Sequence, residues 1–305
     1  FEVFGIRVYW YGLIIGIGFL LALIYAFRRA KTFGLDVDRL IDVIIGGTIG
    51  GVVGARLYYV IFRWDYYKDN LREIFMISHG GLAIYGGIIG ALLVGILMCK
   101  WRKVKILPTV DLVMGCFLLG QGIGRWGNFV NVEAYGCNTD LPWGMTSPKI
   151  VSELMNKAAE LQAQGVTVDP TAPVHPTFFY ESVWCLLGFL LLALYTKHRR
   201  FDGEITLLYL IWYGTERAVV EGLRTDSLML GDIRISQLLS AVVAVVGLAL
   251  WIGMRLRVRK LPPEQRPVLY ANTQESQWIL AGEYDNQTGT RKVSPDQEPA
   301  VQEQI

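Results

Sequence analysis

The chain has 305 residues, of which 52% are hydrophobic and 18% charged, against about 25% charged in an ordinary soluble domain. That deficit, with a mean hydropathy of +0.36, excludes a soluble globular class and predicts an all-α polytopic membrane protein. A formal net charge of +2, with the basic residues in short clusters between apolar runs, excludes a nucleic-acid partner. Crossing a bilayer takes about 20 apolar residues at about 1.5 Å rise each. Such runs fall at 9–27, 41–62, 80–99, 106–124, 178–196, 204–222 and 235–254, which predicts seven transmembrane helices. The first run follows a short segment in which Arg7 is the one basic residue and is itself followed by Arg28 and Arg29, the reverse of a secretory signal, so it reads as a retained helix. In the second, Gly46, Gly50 and Gly54 recur at four-residue spacing, the pattern of a small-residue interface with a neighbouring helix.

Basic clusters set the orientation. Arg28, Arg29, Lys31 and Arg39 follow helix one, and Lys100, Arg102, Lys103 and Lys105 follow helix three. Lys197, Arg199 and Arg200 follow helix five, and Arg255, Arg257, Arg259 and Lys260 follow helix seven. These four alternating ends predict an outer N-terminus and a cytoplasmic C-terminus, although the outer loop 63–79 dissents with Arg63, Lys68 and Arg72. The longest outer segment, 129–177, carries a helix-like stretch from Lys149 to Gln164 and reads as a small extracytoplasmic insertion. Residues 1–260 are expected to form one transmembrane domain. From Leu261 to Ile305 the chain turns polar and proline-bearing and is expected to be a disordered cytoplasmic tail. Cys99, Cys116, Cys137 and Cys185 lie far apart without CxxC spacing, so neither a metal site nor a dithiol is expected.

An ionisable residue at mid-bilayer costs at least about 2.5–3.5 kcal/mol, so each one asks for a partner or a purpose. On the predicted topology Arg56 lies in the outer half of helix two and Arg125 at the outer end of helix four. On helix six, Tyr213, Arg217, Glu221 and Arg224 recur at i, i+4, i+8 and i+11, one stripe roughly 16 Å long. Tyr9, Trp10, Tyr11 and Tyr85 sit at outer helix ends, while the inner half is nearly uncharged, unlike the interior of an anion transporter. Four guanidinium groups on three helices exceed what Glu221 and Glu133 neutralise, and the surplus invites an anion. Arginine suits bidentate phosphate contacts, and the abundant outer-leaflet anion is a phospholipid headgroup. A lipid-handling enzyme follows, with a non-catalytic lipid-binding scaffold as the alternative.

Gly122, Gly124 and Gly127 form a GxGxxG pattern, but they end an apolar helix of membrane length, whereas the dinucleotide fingerprint follows a strand and opens a helix. The glycine-rich end, followed by Arg125, Asn128, Asn131 and Glu133, is expected to offer backbone N–H donors, a cation, amides and a carboxylate to one ligand.

The stretch GRWGNFVNVEAYG, Gly124 to Gly136, resembles the signature GR-x-GNF-x-N-x-E-x-x-G of the prolipoprotein diacylglyceryl transferases. Tyr9-Trp10-Tyr11-Gly12, Gly54-Ala55-Arg56, Gly80 through Gly87, His175-Pro176 with Tyr180-Glu181, and Tyr213 through Arg224 are similar to that family's other motifs in the same order. The resemblance covers about residues 1–260. It implies transfer of a diacylglyceryl group from phosphatidylglycerol to the lipobox cysteine of a preprolipoprotein in the bacterial cytoplasmic membrane, at a site facing the extracytoplasmic leaflet, with no metal or organic cofactor. It also implies that Arg125 and Arg217 hold the departing phosphate, that Tyr11, Asn128, Glu133, Gly136, Tyr213 and Glu221 are important, and that Arg56 and Arg224 touch the headgroup. Asn131 joins the expected phosphatidylglycerol contacts. Some members have His where this chain has Tyr85, so the base that takes the thiol proton stays open among Tyr85, Glu133 and Glu221, with His79 and His175 nearby in the motifs.

Overall fold

The computed structural model describes residues 2–3, 6–7, 9–77, 80–163, 167–224, 229–230, 233–286 and 288–292. In chain order its helices are α1 (Trp10–Arg29), α2 (Val37–Phe62), the short α3 (Trp64–Tyr67), α4 (Ile84–Trp101), α5 (Ile106–Asn131), α6 (Pro148–Ala163), α7 (Thr177–Tyr195), α8 (Glu204–Leu223), α9 (Ile235–Lys260) and α10 (Gln274–Leu280). Two hairpins of two-residue strands, β1 (Glu2–Val3) with β2 (Ile6–Arg7) and β3 (Met229–Leu230) with β4 (Ile233–Arg234), flank α1 and α9. All seven expected spans are helices, and Lys149–Gln164 corresponds to α6, with Gln164 itself outside the described residues.

Among the described residues, six helices are long and apolar enough to cross a membrane: α1 with its continuing turn, α2, α4, α5, α7 and α9. Helix α8 has the length, but Glu204, Glu216, Arg217 and Glu221 dilute its hydropathy. The outward faces are apolar, with Ile61 67%, Leu97 62% and Val245 65% exposed, the arrangement expected when lipid is the solvent.

The chain divides into two compact units. The first, residues 1–28 and 110–267, contains α1, most of α5, and α6 to α9. The GxGxxG glycines of α5 are its packing seats. A Cβ on Gly122 would lie 2.8 Å from Leu186 of α7, on Gly124 3.1 Å from Ile15 of α1, and on Gly127 2.7 Å from the Tyr11 ring. Trp184 of α7 and Trp212 of α8 stack at 4.5 Å, and each indole donates to the other's carbonyl, at 3.1 and 3.0 Å.

One end of this unit is richer in buried charge than expected. Asp111, fully buried, accepts from the N–H groups of Gly203 (2.7 Å) and Thr206 (2.8 Å) and from the Thr206 hydroxyl (2.6 Å), so a side chain of α5 caps the start of α8. Glu204, also fully buried, accepts from Tyr195 (2.9 Å) and Trp251 (3.0 Å) and pairs with Arg255 at 3.3 Å. The expectation of buried charge gathered at one end alone is corrected here: these carboxylates are built into joints between helices.

The second unit, residues 29–109 and 268–305, is organised by α2 against α4. Glycine faces glycine: a Cβ on Gly54 would strike the Gly86 carbonyl and lie 2.8 Å from the Gly90 Cα, and one on Gly50 would lie 2.5 Å from Val94. The glycine stripe is a helix-packing surface, as its spacing indicated. Arg102 and Asp42 tie the same two helices at 2.7 Å.

The tail differs from the expectation of disorder. Thr273 caps α10 by accepting from the Ser276 N–H at 3.3 Å, the Ser276 hydroxyl donates to the Gly34 carbonyl at 3.0 Å, and Glu275 pairs with Lys105 at 3.1 Å. Tyr270 and Ile279 are buried. The segment is too polar to build its own core, but Gly34, at φ +75 with no side chain, leaves the surface on which it docks. Residues 293–305 lie outside the described residues.

Gly54→Ala is expected to cost about 1–3 kcal/mol through overpacking and to lower the melting temperature in detergent. Gly95→Ala on α4, where an added Cβ meets nothing within 4 Å, is expected to leave it unchanged or raised. Equal melting temperatures for the two variants would contradict the α2–α4 contact.

Candidate functional site

Helix α5 continues past the apolar run through Arg125, Asn128 and Asn131. The backbone N–H groups of the glycine-rich stretch are therefore inside a helix, and the expectation that they form an anion cradle is corrected. What α5 does supply is one face carrying Arg125 and Asn128 three residues apart.

Arg125 meets Glu181 of α7: its Nη1 lies 2.5 Å from Oε2. The other Glu181 oxygen, Oε1, is 2.8 Å from Nη1 of Arg217 on α8, and Nη2 of Arg217 is 2.6 Å from Oε2 of Glu221 one turn further on. One carboxylate thus bridges two guanidiniums contributed by two other helices. Glu181 and Glu221 are almost fully buried, while Arg125 and Arg217 keep 18% and 19% of their side chains exposed, so each arginine is fixed on one side and reachable on another. Glu216, 4% exposed, joins this layer without a hydrogen bond to either carboxyl oxygen among the described residues. The count of surplus positive charge is corrected accordingly, because it omitted Glu181 and Glu216. The signal was available: a carboxylate inside an apolar run is as costly as an arginine there.

The remaining expected residues surround the ends of these helices. After α5 the backbone at Val132 and Ala134 takes φ of 51 and 57, a left-handed conformation that costs non-glycine residues energy. This curl turns Glu133 back so that Oε1 accepts from Asn128 at 2.9 Å and from Asn131 at 3.4 Å. Gly136 donates its N–H to the His175 carbonyl at 2.9 Å and bridges to Arg224, and a Cβ there would lie 2.8 Å from His175. The absent side chain is what admits this backbone crossing. Arg224 lies just beyond α8 in extended conformation, so the expected stripe leaves the helix after Glu221. Tyr213 stacks on Tyr209 with centroids 5.7 Å apart and planes 8° apart. Tyr11 is 39% exposed and rests on Gly127. His175, held below the usual histidine range by burial, places Nδ1 3.2 Å from the Tyr180 hydroxyl, which accepts from the Trp143 indole at 2.8 Å.

Two expected residues belong to the second unit. Arg56 is 5% exposed and donates to the carbonyls of Ile74 (2.9 Å), Gly80 (2.6 Å), Gly81 (2.9 Å), Met76 (3.4 Å) and Glu73, with its guanidinium 5.2 Å from the Tyr67 ring centroid. Every guanidinium nitrogen has a backbone acceptor, so the expected headgroup contact gives way to a clamp on the loop before α4. Tyr85, the second residue of α4, is 55% exposed. His79 lies outside the described residues.

Fold and site together define a multi-pass helical membrane protein with an arginine–carboxylate network inside a helix bundle. The sequence model of the family described as prolipoprotein diacylglyceryl transferase matches residues 1–253. The chain is 44% identical over 261 residues to the phosphatidylglycerol–prolipoprotein diacylglyceryl transferase of Finegoldia magna, a match covering 85% of this chain and 96% of that one. It is 42% identical to the protein of that name from Clostridium novyi, covering 84% and 95%, and 42% identical to that from Thermotoga maritima, covering 84% of each. This chain belongs to the prolipoprotein diacylglyceryl transferase family.

Arg56→Lys replaces a planar fork by a single ammonium and leaves several of the Glu73, Ile74, Met76, Gly80 and Gly81 carbonyls without donors. Faster amide hydrogen exchange is expected in the described part of that loop, with little change across α5, α7 and α8. Unchanged exchange at the loop would return Arg56 to a ligand-binding role.

Proposed function

We propose that this chain transfers the diacylglyceryl group of phosphatidylglycerol to the lipobox cysteine of a preprolipoprotein. The observation that carries the reading is the pair Arg125–Arg217, bridged by Glu181 and still partly exposed, in a chain of this family. In the reaction the cysteine sulfur attacks the glycerol carbon that carries the phosphate. The S–C bond forms, the C–O bond breaks, glycerol phosphate leaves with the electron pair, and the thiol proton passes to a base. Negative charge builds on the departing phosphate, and donors already fixed in a low-dielectric site stabilise it without reorganising. Arg125 and Arg217 take that role.

Residues 1–260 form the catalytic domain, with seven spans including α8. The N-terminus is outside, the tail is cytoplasmic, and the site faces the extracytoplasmic leaflet of the bacterial inner membrane. The basic clusters at four alternating ends support this orientation. The lipid occupies the arginine pair with Tyr213, Asn131 and Arg224 nearby, and Gly136 keeps the backbone crossing beside them. Glu221 sets Arg217, Asn128 sets Glu133, and Tyr11 lines the approach at the end of α1. Glu133, whose Asn128 and Asn131 bonds converge on one oxygen, is the base, and Tyr85 is the alternative by its place in the family motif.

Purified protein incubated with phosphatidylglycerol and a lipobox peptide is expected to add a diacylglyceryl mass to the cysteine peptide and none to its serine counterpart. Arg125→Ala should abolish the gain, and Glu133→Gln should lower turnover by about 100-fold or more while lipid binding persists. Lipid binding with no mass gain would make the chain a lipid-binding scaffold, and normal turnover in Glu133→Gln would remove that residue as base.

A further inference from the structure

Glu216 has no place in the reaction as drawn, and its surroundings are unusual for a carboxyl. It is 4% exposed, and neither oxygen has a hydrogen-bond partner among the described residues. The two cations that act on it, Arg125 and Arg217, already serve Glu181 and Glu221. The groups facing it are Arg125 on α5, Glu181 and Cys185 on α7, and Tyr209, Tyr213 and Arg217 on its own helix. Helix α9, packed along α8, has no ionisable residue before Arg255. Glu221 and Arg224 lie further along the chain, beyond one turn of α8.

A buried carboxylate that accepts no hydrogen bond is costly, whereas the neutral acid is not. Glu216 is also the member of this carboxyl layer that can gain or lose a proton without breaking an ion pair. We infer that Glu216 is a positioning residue that sets the charge of the Arg125–Arg217 pair, admitting an anionic phosphodiester when it is neutral and opposing it when it is ionised. The inference rests on the proposed phosphatidylglycerol substrate. An added negative charge a few ångströms from both arginines offsets their attraction for a phosphate by a factor of about ten or more in partly buried surroundings.

The test measures lipid affinity, which leaves the thiol's own titration out of the readout. Full-length protein in detergent is titrated with phosphatidylglycerol, and with zwitterionic phosphatidylcholine as control, from about pH 6 to about pH 9, a range in which the phosphodiester itself stays singly charged. Wild-type affinity for phosphatidylglycerol is expected to fall about tenfold or more as pH rises. Glu216→Gln should hold the high affinity across the range, and Glu216→Asp should keep the fall. The same fall in the Gln variant overturns the inference and leaves the transferase reading standing, and so does a flat wild type. If the Gln variant does not fold, a flat profile in wild type and the Asp variant overturns it equally. Absence of phosphatidylglycerol affinity at every pH overturns both the inference and the substrate reading.

Discussion

The arrangement of α5, α7 and α8 hangs on one buried carboxylate. Glu181 is 1% exposed and bonds Arg125 with one oxygen and Arg217 with the other. A lone charge in such a place is prohibitive, and a single pair roughly breaks even against its desolvation. A carboxylate shared between two guanidiniums satisfies both of its oxygens and fixes each arginine along one edge of its fork. The arginines are thereby held for a second anion before it arrives, which is the preorganisation a phosphate-releasing reaction requires. Ser182, the next residue on α7, reinforces the joint by donating to the Gly122 carbonyl at 2.7 Å and accepting from the Trp126 indole at 3.1 Å.

The second unit follows a related logic with a different acceptor. Arg56 is buried too, but backbone carbonyls rather than a carboxylate receive its donors. The result is order in a loop, and the loop leads into the glycine-faced contact between α2 and α4. Arginines on different helices of one chain thus have different tasks, decided by what accepts their hydrogen bonds.

The helices were legible in the sequence because apolar length is a direct consequence of bilayer thickness; each expected span falls on a helix, although α5 runs on to Asn131 and α9 to Lys260, where the residues turn polar. The Arg217–Glu221 pair was legible because spacing of four on a helix enforces proximity. Glu181 went unassigned because its partners lie on other helices, 56 and 36 positions away by residue number (181 − 125 and 217 − 181). Arg56 misled for the same reason: its acceptors are backbone atoms, which composition cannot reveal. The tail misled differently. Its polarity excludes a core of its own, but docking needs only an existing surface, a capped helix and a few bonds such as Ser276 to Gly34.

The shared carboxylate is tested most directly by double-mutant cycles for Arg125 with Glu181 and for Arg217 with Glu181, each residue changed to Gln and thermal stability in detergent measured. Both cycles should show coupling of about 1–3 kcal/mol, with Glu181→Gln alone more damaging than either double variant because it leaves Arg125 without its carboxylate and Arg217 with Glu221 as its remaining one. Additivity within about 0.5 kcal/mol in both cycles would mean that Glu181 does not hold the two arginines.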